Sequence, residues 1–209
     1  MANSEKKISK AVIRRLPIYL MYLEELENKN VKGISSKKLG EMTGFTPSQI
    51  RQDLNNFGGF GQQGYGYSVN SLKNEIGSIL GYGKNKKGII IGGGKLGKAL
   101  ASYERFKYVG LEVVDIFDRN PDNIGTEIGG ITIRDVSELE QYVKNNKVDV
   151  GILTIPKESA QEYTDLLVEH GARGIWNFAS TEVKVPEGVV VENVRLNDSL
   201  SVLMYYLDN

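Results

Sequence analysis

A glycine-rich stretch in the middle of the chain has the spacing of a dinucleotide-binding loop. The apolar run at residues 88–91 is followed by Gly92, Gly94 and Gly97, which form a G-x-G-x-x-G pattern, and then by residues with helical periodicity. In such a loop the glycines allow a tight turn, a close approach of the backbone to a pyrophosphate, and close packing of the helix on the strand. The helix N-terminus supplies N–H groups for the phosphates. The pattern therefore predicts a strand, a phosphate-binding loop and a helix.

Asp118 adds a second feature of the same kind of site. It lies 21 residues after Gly97, at the end of a second predicted strand. A carboxylate at that place hydrogen-bonds the ribose hydroxyls of an adenosine and repels the 2′-phosphate of NADP. Arg119, the next residue, is the one neighbour that would suit such a phosphate. We therefore expect the cofactor to be NADH or NAD⁺.

Other motifs in this half resemble catalytic ones but do not indicate catalysis. Ala99 stands where a Walker A loop needs Ser or Thr to hold Mg²⁺. Tyr103 and Lys107 have the spacing of the short-chain dehydrogenase pair, yet Tyr103 comes only 6 residues after Gly97 instead of on a later helix. His170 follows a helical segment and precedes a glycine, a place that suits a helix C-terminus. Because an acid–base pair for hydride transfer is not evident, we expect a protein that is not an enzyme.

The first part of the chain must be helical by its periodicity. Residues 8–28 carry an apolar stripe, and Pro17 either kinks this helix or begins its main segment. A break with a glycine follows. A short helix over about residues 36–42 then has its N-cap at Ser35 or Ser36.

The next helix has the most specific start signal in the sequence. Thr46 suits the N-cap and Pro47 the first helical position. Gln49 is at the third helical position, where it suits a capping box with Thr46. Apolar residues share one face of this helix: Ile50, Leu54 and Phe57. Polar residues at i, i+3, i+4 and i+7 share another: Ser48, Arg51, Gln52 and Asn55. Since Arg and Gln can bind guanine and adenine edges through two hydrogen bonds, this arrangement predicts a DNA-recognition helix, the alternative being an ordinary solvated face.

A hairpin is expected directly after the recognition helix. Residues 57–67 alternate glycine with aromatic and amide residues, which favours an ordered β-hairpin over a flexible linker. A hairpin at this place forms the wing of a winged helix and can reach a minor groove or the phosphate backbone.

Charge is divided unevenly along a chain whose net charge is zero. Residues 1–87 contain 14 Lys and Arg against 7 Asp and Glu, whereas residues 88–209 contain 12 against 19. This asymmetry is typical of a basic module that faces a polyanion joined to an acidic one. The absence of cysteine excludes a disulfide framework and a thiolate metal site. With no signal-peptide core at the start and no apolar stretch near ~18 residues, we expect a cytoplasmic protein.

The second part of the chain alternates strands and helices. Periodicity and apolar runs predict strands at 88–92, 111–117, 131–134 (or a turn), 149–155, 173–178 and 188–193, and helices at 71–80, 95–105, 137–145, 158–170 and 197–207. The fold class is therefore α/β, with an N-terminal winged helix-turn-helix domain at 1–80, a linker at 81–87, a Rossmann domain at 88–194 and a C-terminal helix at 195–209.

With both halves considered, the chain resembles the redox-sensing transcriptional repressor Rex family over essentially its full length. The motifs that support the resemblance are Arg15-Leu-Pro-Ile-Tyr19, Ser36-Lys-Lys-Leu39, Gln49-Ile-Arg-Gln-Asp-Leu54, Phe57-Gly-Gly-Phe-Gly61, Gly64-Tyr-Gly-Tyr67, Gly92–Gly97, Phe117-Asp118, Thr154-Ile-Pro156 and Asn177-Phe-Ala179. The resemblance implies a homodimer that exchanges its C-terminal helices, binds palindromic operator DNA, and is released from it by NADH.

The resemblance also implies three sets of site residues. The cofactor set is Gly92, Gly93, Gly94, Lys95, Leu96, Gly97, Asp118 and Arg119, with Tyr103, Thr154, Pro156 and Phe178 toward the nicotinamide. The set that contacts double-stranded DNA is Ser36, Lys37, Lys38, Ser48, Gln49, Arg51, Gln52, Asn55, Gln62, Gln63 and Tyr65. The set for dimerisation and coupling is Arg14, Arg15, Arg195, Leu196, Asp198, Leu200 and Leu203. No metal site is expected.

One position departs from the family pattern. Arg195-Leu196 stands where the family usually has Asp-Leu, and that Asp is thought to pair across the dimer with an Arg of the first helix, here Arg14 or Arg15. Two arginines cannot form such a pair, so we expect the coupling to be weakened or to use Asp198. Two other functions remain open from the sequence: an NAD-dependent oxidoreductase with a basic accessory domain, and a CoA- or nucleotide-binding regulator without DNA affinity.

Overall fold

The computed structural model describes residues 8–58, 61–62 and 66–208, without the side chains of Gln62 and Asp208. It forms two compact units, residues 1–83 and residues 84–209. The boundary falls in the Gly- and Lys-rich segment before the glycine loop. Within the described part of the chain, no helix combines the length and apolar character needed to cross a bilayer.

The described residues of the first unit form four helices and a small antiparallel sheet. Its elements are α1 (Lys10–Asn28), β1 (Gly33–Ile34), α2 (Ser36–Thr43), α3 (Pro47–Asn55), β2 (Gly61–Gln62), β3 (Gly66–Ser68) and α4 (Val69–Leu80). The strand order is β1-β3-β2, so the expected hairpin forms and a short strand after α1 extends it. This is a winged helix-turn-helix, as the sequence predicts.

Side-chain caps determine where these helices begin. Ser35 accepts a hydrogen bond from the Lys38 N–H at 3.1 Å, and Thr46 accepts one from the Gln49 N–H at 3.2 Å. Ser35, and not Ser36, is therefore the cap of α2. Helix α1 begins at Lys10 and continues through Pro17, so the alternative in which Pro17 begins the helix is wrong.

The core of the first unit joins all four helices to the sheet. Its largest fully buried side chains include Tyr19, Leu23 and Leu39, together with Ile50 and Leu54 from the apolar face of α3. Burying that face leaves the opposite face of α3 in solvent, as the predicted recognition helix requires.

The second unit is a seven-stranded sheet with helices. Its elements are β4 (Lys86–Ile91), α5 (Lys95–Ala101), α6 (Arg105–Tyr108), β5 (Leu111–Asp118), β6 (Glu127–Ile128), β7 (Ile131–Asp135), a 3₁₀ turn (Val136–Glu138), α7 (Leu139–Asn145), β8 (Val150–Leu153), α8 (Lys157–Glu169), β9 (Gly174–Asn177), β10 (Val190–Asn193) and α9 (Leu196–Asp208). The strand order is β10-β9-β8-β4-β5-β7-β6, with every pair parallel except β6–β7. The six parallel strands have the order of a Rossmann fold.

One local expectation for this unit is wrong, and one strand was not predicted. The helix expected over 95–105 ends at Ala101, and the chain turns before the short α6. There the Phe106 ring packs edge-on against Trp176 with centroids 5.2 Å apart, a tertiary contact that helical periodicity does not encode. The two-residue strand β6 pairs only with β7 and was not expected, because such a short strand has no alternation to detect.

Candidate dinucleotide site and nucleic-acid interface

The glycine loop lies where the strand order of the Rossmann sheet reverses. Strand β4 has β5 on one side and β8 on the other, and Ile91 at its end pairs with Phe117 and Leu153. The carboxyl ends of these three strands therefore meet at Gly92, Asp118 and Thr154. In open α/β sheets, ligands bind in the crevice at this point.

The glycines of the loop lack side chains for different reasons. Gly92 has a φ of +104°, and a Cβ on it would lie 2.5 Å from the Thr154 carbonyl oxygen. A Cβ on Gly97 would lie 1.9 Å from the carbonyl oxygen of Gly92, and one on Gly93 would lie 2.9 Å from Ile133 Cδ1. At Gly94, the N-cap of α5, a Cβ would meet no protein atom within 4 Å. The packing of the protein explains the other glycines, whereas the open space at Gly94 suits a ligand such as a pyrophosphate.

Thr154 holds the loop against the neighbouring strand. Its Oγ1 donates to the Gly92 carbonyl oxygen at 2.7 Å, and its N–H donates to the Ile91 carbonyl oxygen at 2.9 Å. The loop is therefore fixed in shape by protein contacts alone, before any ligand is considered.

Asp118 is buried and ordered by two hydrogen bonds from the chain that follows it. Its carboxylate accepts from the Asn120 N–H at 2.7 Å and from Asn123 Nδ2 at 3.1 Å. Asn123 in turn accepts from Lys98 Nζ at 2.9 Å, so this lysine does not point at the loop as a Walker A lysine would. An ionised carboxylate has about four acceptor positions, so Asp118 can also accept from ribose hydroxyls.

A cavity of about 190 Å³, here called the Asp118 cavity, opens beside the loop. Its lining is Ile91, Gly92, Gly94, Phe117, Asp118, Arg119, Val136, Thr154, Ile155, Pro156, Ser159 and Tyr163. Sequence reasoning assigned no cofactor contact to six of these residues: Ile91, Phe117, Val136, Ile155, Ser159 and Tyr163. The i, i+4 spacing of Ser159 and Tyr163 at the start of α8, directly after a strand of the switch point, is a signal that could have found them.

Arg119 and Tyr163 influence each other electrostatically in this cavity. Burial, and then the charge of Glu162, raise the pKa of the Tyr163 phenol, while the positive charge of Arg119 opposes the shift. The Asp118 cavity thus combines a carboxylate with an aromatic ring and a guanidinium.

A second cavity of about 480 Å³, here called the Phe178 cavity, shares no lining residue with the first. Its lining is Leu96, Phe178, Ser180, Thr181, Val194, Arg195, Leu196, Asn197 and Asp198. Gly94 lines the first cavity and Leu96, two residues later, lines the second, so the start of α5 separates them. Lys95, between the two, is exposed. A dinucleotide whose pyrophosphate crosses the loop could place one half in each cavity.

Asn177 fixes the wall of the Phe178 cavity. Its fully buried amide accepts from the Ala179 N–H at 3.0 Å and donates to the Thr181 carbonyl oxygen at 2.7 Å and to Asn193 Oδ1 at 2.8 Å. These bonds order the chain after β9, which has no helix before β10, and so hold Phe178 in place.

Tyr103 is not brought together with Thr154 and Pro156 within the single chain. It lines a separate cavity with Phe106 and Gly129, and it is about half exposed. A series of ring contacts connects Tyr103 to Phe178. The ring centroids are 4.9 Å apart for Tyr103 and Phe106, 5.2 Å for Phe106 and Trp176, and 4.8 Å for Trp176 and Phe178. A role for Tyr103 at the nicotinamide stays a prediction.

The recognition helix presents the expected polar face. Ser48, Arg51, Gln52 and Asn55 are exposed, and Gln49 is partly buried. Arg51 Nη1 donates to Ser36 Oγ at 2.9 Å, which joins the middle of α3 to the start of α2. On α2, Lys37 is exposed, and the exposed Lys38 forms an ion pair with Glu41 at 3.1 Å. These residues form one surface of suitable chemistry for DNA.

The wing is described only in part. Gln62 pairs with Gly66 across the hairpin through the backbone, and its side chain lies outside the described atoms. Gln63 and Tyr65 lie outside the described residues. Their expected contacts with DNA stay predictions.

Known proteins match the chain in both units. The family described as putative DNA-binding protein N-terminus matches residues 7–55, and the CoA binding domain family matches residues 83–181. The redox-sensing transcriptional repressor Rex of Clostridium botulinum (strain Alaska E43 / Type E3) is 53% identical over 205 residues, covering 98% of each chain. This chain belongs to the Rex family. The relatives are named as transcriptional repressors and not as oxidoreductases.

Solved structures of another Rex-family repressor, RSP, have the same fold. RSP in complex with β-NAD⁺ and operator DNA gives a TM-score of 0.91 at 52% identity, covering 96% of this chain and 93% of that one. RSP in complex with β-NADH gives a TM-score of 0.90 at 48% identity, covering 97% and 95%.

Arg15 has a partner inside the first unit of this Rex-family chain. Its guanidinium donates to both carboxylate oxygens of Asp53, Nε to Oδ2 at 2.6 Å and Nη2 to Oδ1 at 2.7 Å, and Tyr19 Oη donates to Oδ2 at 2.6 Å. The hydrogen bond to Asp53 raises the pKa of Arg15. Burial, and then the hydrogen bond that Tyr19 itself donates to Asp53, raise the pKa of Tyr19. The guanidinium of Arg15 therefore binds a buried carboxylate of its own chain. The expected use of Arg14 or Arg15 in a pair across a Rex dimer stays a prediction. Arg14 is exposed.

Arg195 also has a partner in its own chain. Its Nη2 donates to Glu182 Oε1 at 2.8 Å. Arg195 therefore has a carboxylate of its own chain beside it, and the expected repulsion between Arg195 and an arginine of α1 across the dimer stays a prediction. The other coupling residues are all exposed in the single Rex-family subunit: Leu196, Asp198, Leu200 and Leu203.

Proposed function

We propose that this chain is a homodimeric transcriptional repressor of the cytoplasm that binds a palindromic operator and leaves it when NADH binds. The observation that supports this most directly is the joining, in one chain, of an exposed polar recognition helix to a glycine loop with Asp118. RSP, at 52% and 48% identity, has been solved with β-NAD⁺ and operator DNA and with β-NADH.

The proposed DNA contacts follow from the exposed face of the winged helix. Arg51, Gln52 and Asn55 would contact base edges in the major groove, and Lys37 and Lys38 would contact phosphates. In a two-fold symmetric dimer the two recognition helices must be spaced to enter successive major grooves, so an inverted-repeat operator is expected.

The proposed cofactor contacts follow from the two cavities. The loop N–H groups and the open space at Gly94 would hold the pyrophosphate, and Asp118 would accept from the adenosine ribose. The Phe178 cavity would hold the nicotinamide, with Leu96 and Phe178 as its apolar walls. When bound, the cofactor supplies the redox signal, because only its nicotinamide ring changes between NADH and NAD⁺.

Repression would be controlled by an equilibrium between two states of the dimer. In one state the recognition helices have the spacing of the operator, and in the other they do not. A ligand shifts such an equilibrium only through its differential affinity for the two states. By linkage, operator DNA must weaken the affinity for NADH by the same factor by which NADH weakens the affinity for DNA.

The test is a titration of the protein–DNA complex with each cofactor. A palindromic operator is first selected from duplexes with a randomised core, and its complex is then followed by fluorescence anisotropy at one fixed salt concentration, because such affinities depend strongly on salt. We expect NADH to dissociate the complex at concentrations at which NAD⁺ does not. Selection of no DNA sequence, or equal behaviour with and without NADH, would contradict the proposal.

A further inference from the structure

An ion pair lies at the rim of the Phe178 cavity, at the end where we place the nicotinamide. Arg195 lines the cavity, and Glu182, which neutralises Arg195 at 2.8 Å, does not. Asp198, in the first turn of α9, is the second charged residue of the lining. We propose that the charge balance of Arg195, Glu182 and Asp198 determines how strongly the chain prefers NADH over NAD⁺. This inference rests on the proposed function.

The chemical difference between the two cofactors is small and local. NAD⁺ has a positively charged nicotinamide ring, whereas the ring of NADH is neutral, and the ADP half is the same in both. The Asp118 cavity and the glycine loop therefore cannot distinguish the two through charge. Discrimination must come from the groups around the ring, and the charged residues that line the Phe178 cavity are Arg195 and Asp198.

The surroundings of the ion pair allow such an effect. Apolar side chains form part of the cavity wall, among them Leu96, Phe178 and Val194, and they reduce the screening of charges inside it. The side chains of the pair are themselves accessible, 45% for Arg195 and 79% for Glu182, so solvent limits the effect. For charges about 7 Å apart in a water-like medium, Coulomb's law gives roughly a threefold change in affinity per unit charge.

The sign of the effect differs between the two members of the pair. A guanidinium near the ring disfavours the cationic NAD⁺, so Arg195→Gln should raise the affinity for NAD⁺ relative to NADH by roughly threefold. A carboxylate beside that guanidinium cancels part of its field, so Glu182→Gln should lower the relative affinity for NAD⁺ by a similar or smaller factor. Arg195→Lys keeps the charge and should leave the ratio near that of the original protein.

The experiment measures dissociation constants of the full-length protein for NADH, NAD⁺ and ADP-ribose by calorimetry, at low and at high salt. ADP-ribose lacks the nicotinamide, so its affinity reports on the fold and on the ADP half alone, and it should be similar in all variants. Glu140→Gln and Lys144→Gln, which remove one charge each from the exposed ion pair of α7, are the matched controls. The shifts of Arg195→Gln and Glu182→Gln should shrink as salt increases.

The possible outcomes distinguish failure of this inference from failure of the proposed function. Opposite shifts in the NADH/NAD⁺ ratio for Arg195→Gln and Glu182→Gln support the inference. If both cofactors bind but the ratio stays constant, or if both variants shift it in the same direction, the charge balance does not determine the preference, and the proposed function is unaffected. If the original protein binds neither cofactor, the proposed function fails as well.

Discussion

Gly94 and Gly97 belong to one motif but are glycines for different physical reasons. The Cβ of a residue at 97 would lie 1.9 Å from the Gly92 carbonyl oxygen, inside the protein itself. The Cβ of a residue at 94 would meet open space, and the φ of −71° at Gly94 is available to any amino acid. The fold therefore requires glycine at position 97 but not at position 94.

Alanine substitutions at these two positions should separate folding from cofactor binding. Gly94→Ala should keep the free energy of unfolding within about 0.5 kcal/mol of the original but weaken NADH and NAD⁺ alike, because the methyl group enters the space of the pyrophosphate. Gly97→Ala should cost about 2–4 kcal/mol of stability, because α5 must move away from the loop. Thermal unfolding without cofactor measures the stability of each variant, and calorimetric titration measures its affinity for NADH and NAD⁺.

The comparison of these two variants also tests the assignment of the loop. Unchanged cofactor affinity in a stable Gly94→Ala protein would show that the pyrophosphate does not cross α5 at its N-cap. Equal loss of stability in both variants would show that position 94 is constrained by the protein and not by a ligand.

At the scale of elements, helix α3 depends on α1 for its position. Asp53 lies on the inner side of α3 with only 2% of its surface exposed, and its carboxylate receives the two bonds from Arg15 and the bond from Tyr19. A buried carboxylate without these donors would be an uncompensated charge. Asp53, which does not face the proposed DNA surface, thus adds a charged contact with α1 to the apolar packing of Ile50 and Leu54.

Two residues on opposite faces of α3 should respond differently to substitution. Asp53→Asn should lower the free energy of unfolding by about 2–4 kcal/mol. The neutral amide cannot accept both hydrogen bonds from Arg15, and it leaves the positive charge of Arg15 without a carboxylate partner. Arg51→Ala should leave stability nearly unchanged and cost about 1–3 kcal/mol of specific DNA binding. Chemical denaturation measures the stability of both variants, and titration with operator DNA measures their affinity for it.

The control for the first substitution is an exposed ion pair in the same unit. Glu41→Gln breaks the pair with Lys38 at the surface and should cost less than about 1 kcal/mol. A similarly small loss for Asp53→Asn would mean that the Arg15–Asp53–Tyr19 cluster does not hold α3 in place.

The sequence predicts elements well where the signal is local and fails where it is tertiary. The capping residues Ser35 and Thr46 and the apolar run before Gly92 define their elements without help from the rest of the chain. In contrast, Asp53 is 38 positions from Arg15, and Glu182 is 13 positions from Arg195, so neither pairing is visible in periodicity or spacing. The partners of Arg15 and Arg195 within their own chain were not predicted for this reason.

The candidate site shows the same division. The glycines and Asp118 were found because the motif requires a fixed spacing after a strand. Tyr163 was missed because it reaches the Asp118 cavity from α8, and only the strand order that places β8 beside β4 brings α8 to the loop.

At the scale of the whole molecule, the last helix indicates how two chains associate. Helix α9 leaves its apolar side chains in solvent in the single chain, with Leu200 and Leu203 each 52% exposed. Contiguous apolar surface of this kind marks an interaction site. A second copy of the chain is the proposed partner, and exchange of α9 between subunits stays a prediction.

Charges placed on this stripe should dissociate the dimer. The double substitution Leu200→Asp and Leu203→Asp should shift the protein from dimer to monomer in sedimentation equilibrium, because each carboxylate would have to be buried without a partner. Operator affinity should fall with it. Val31→Asp, at another partly exposed apolar residue, is the control and should remain dimeric. A dimer that survives the double substitution would locate the interface elsewhere.

The exposed stripe on α9 has a consequence for the amount of protein in the cell. If the species that binds the operator is a pair of chains joined through α9, its population at low concentration rises with the square of the chain concentration. Occupancy of the operator would then depend on gene dosage and protein turnover as well as on the reduction state of the nicotinamide pool. A cell that halves the supply of this chain would lower the occupancy of weak operators about fourfold, with its redox balance unchanged.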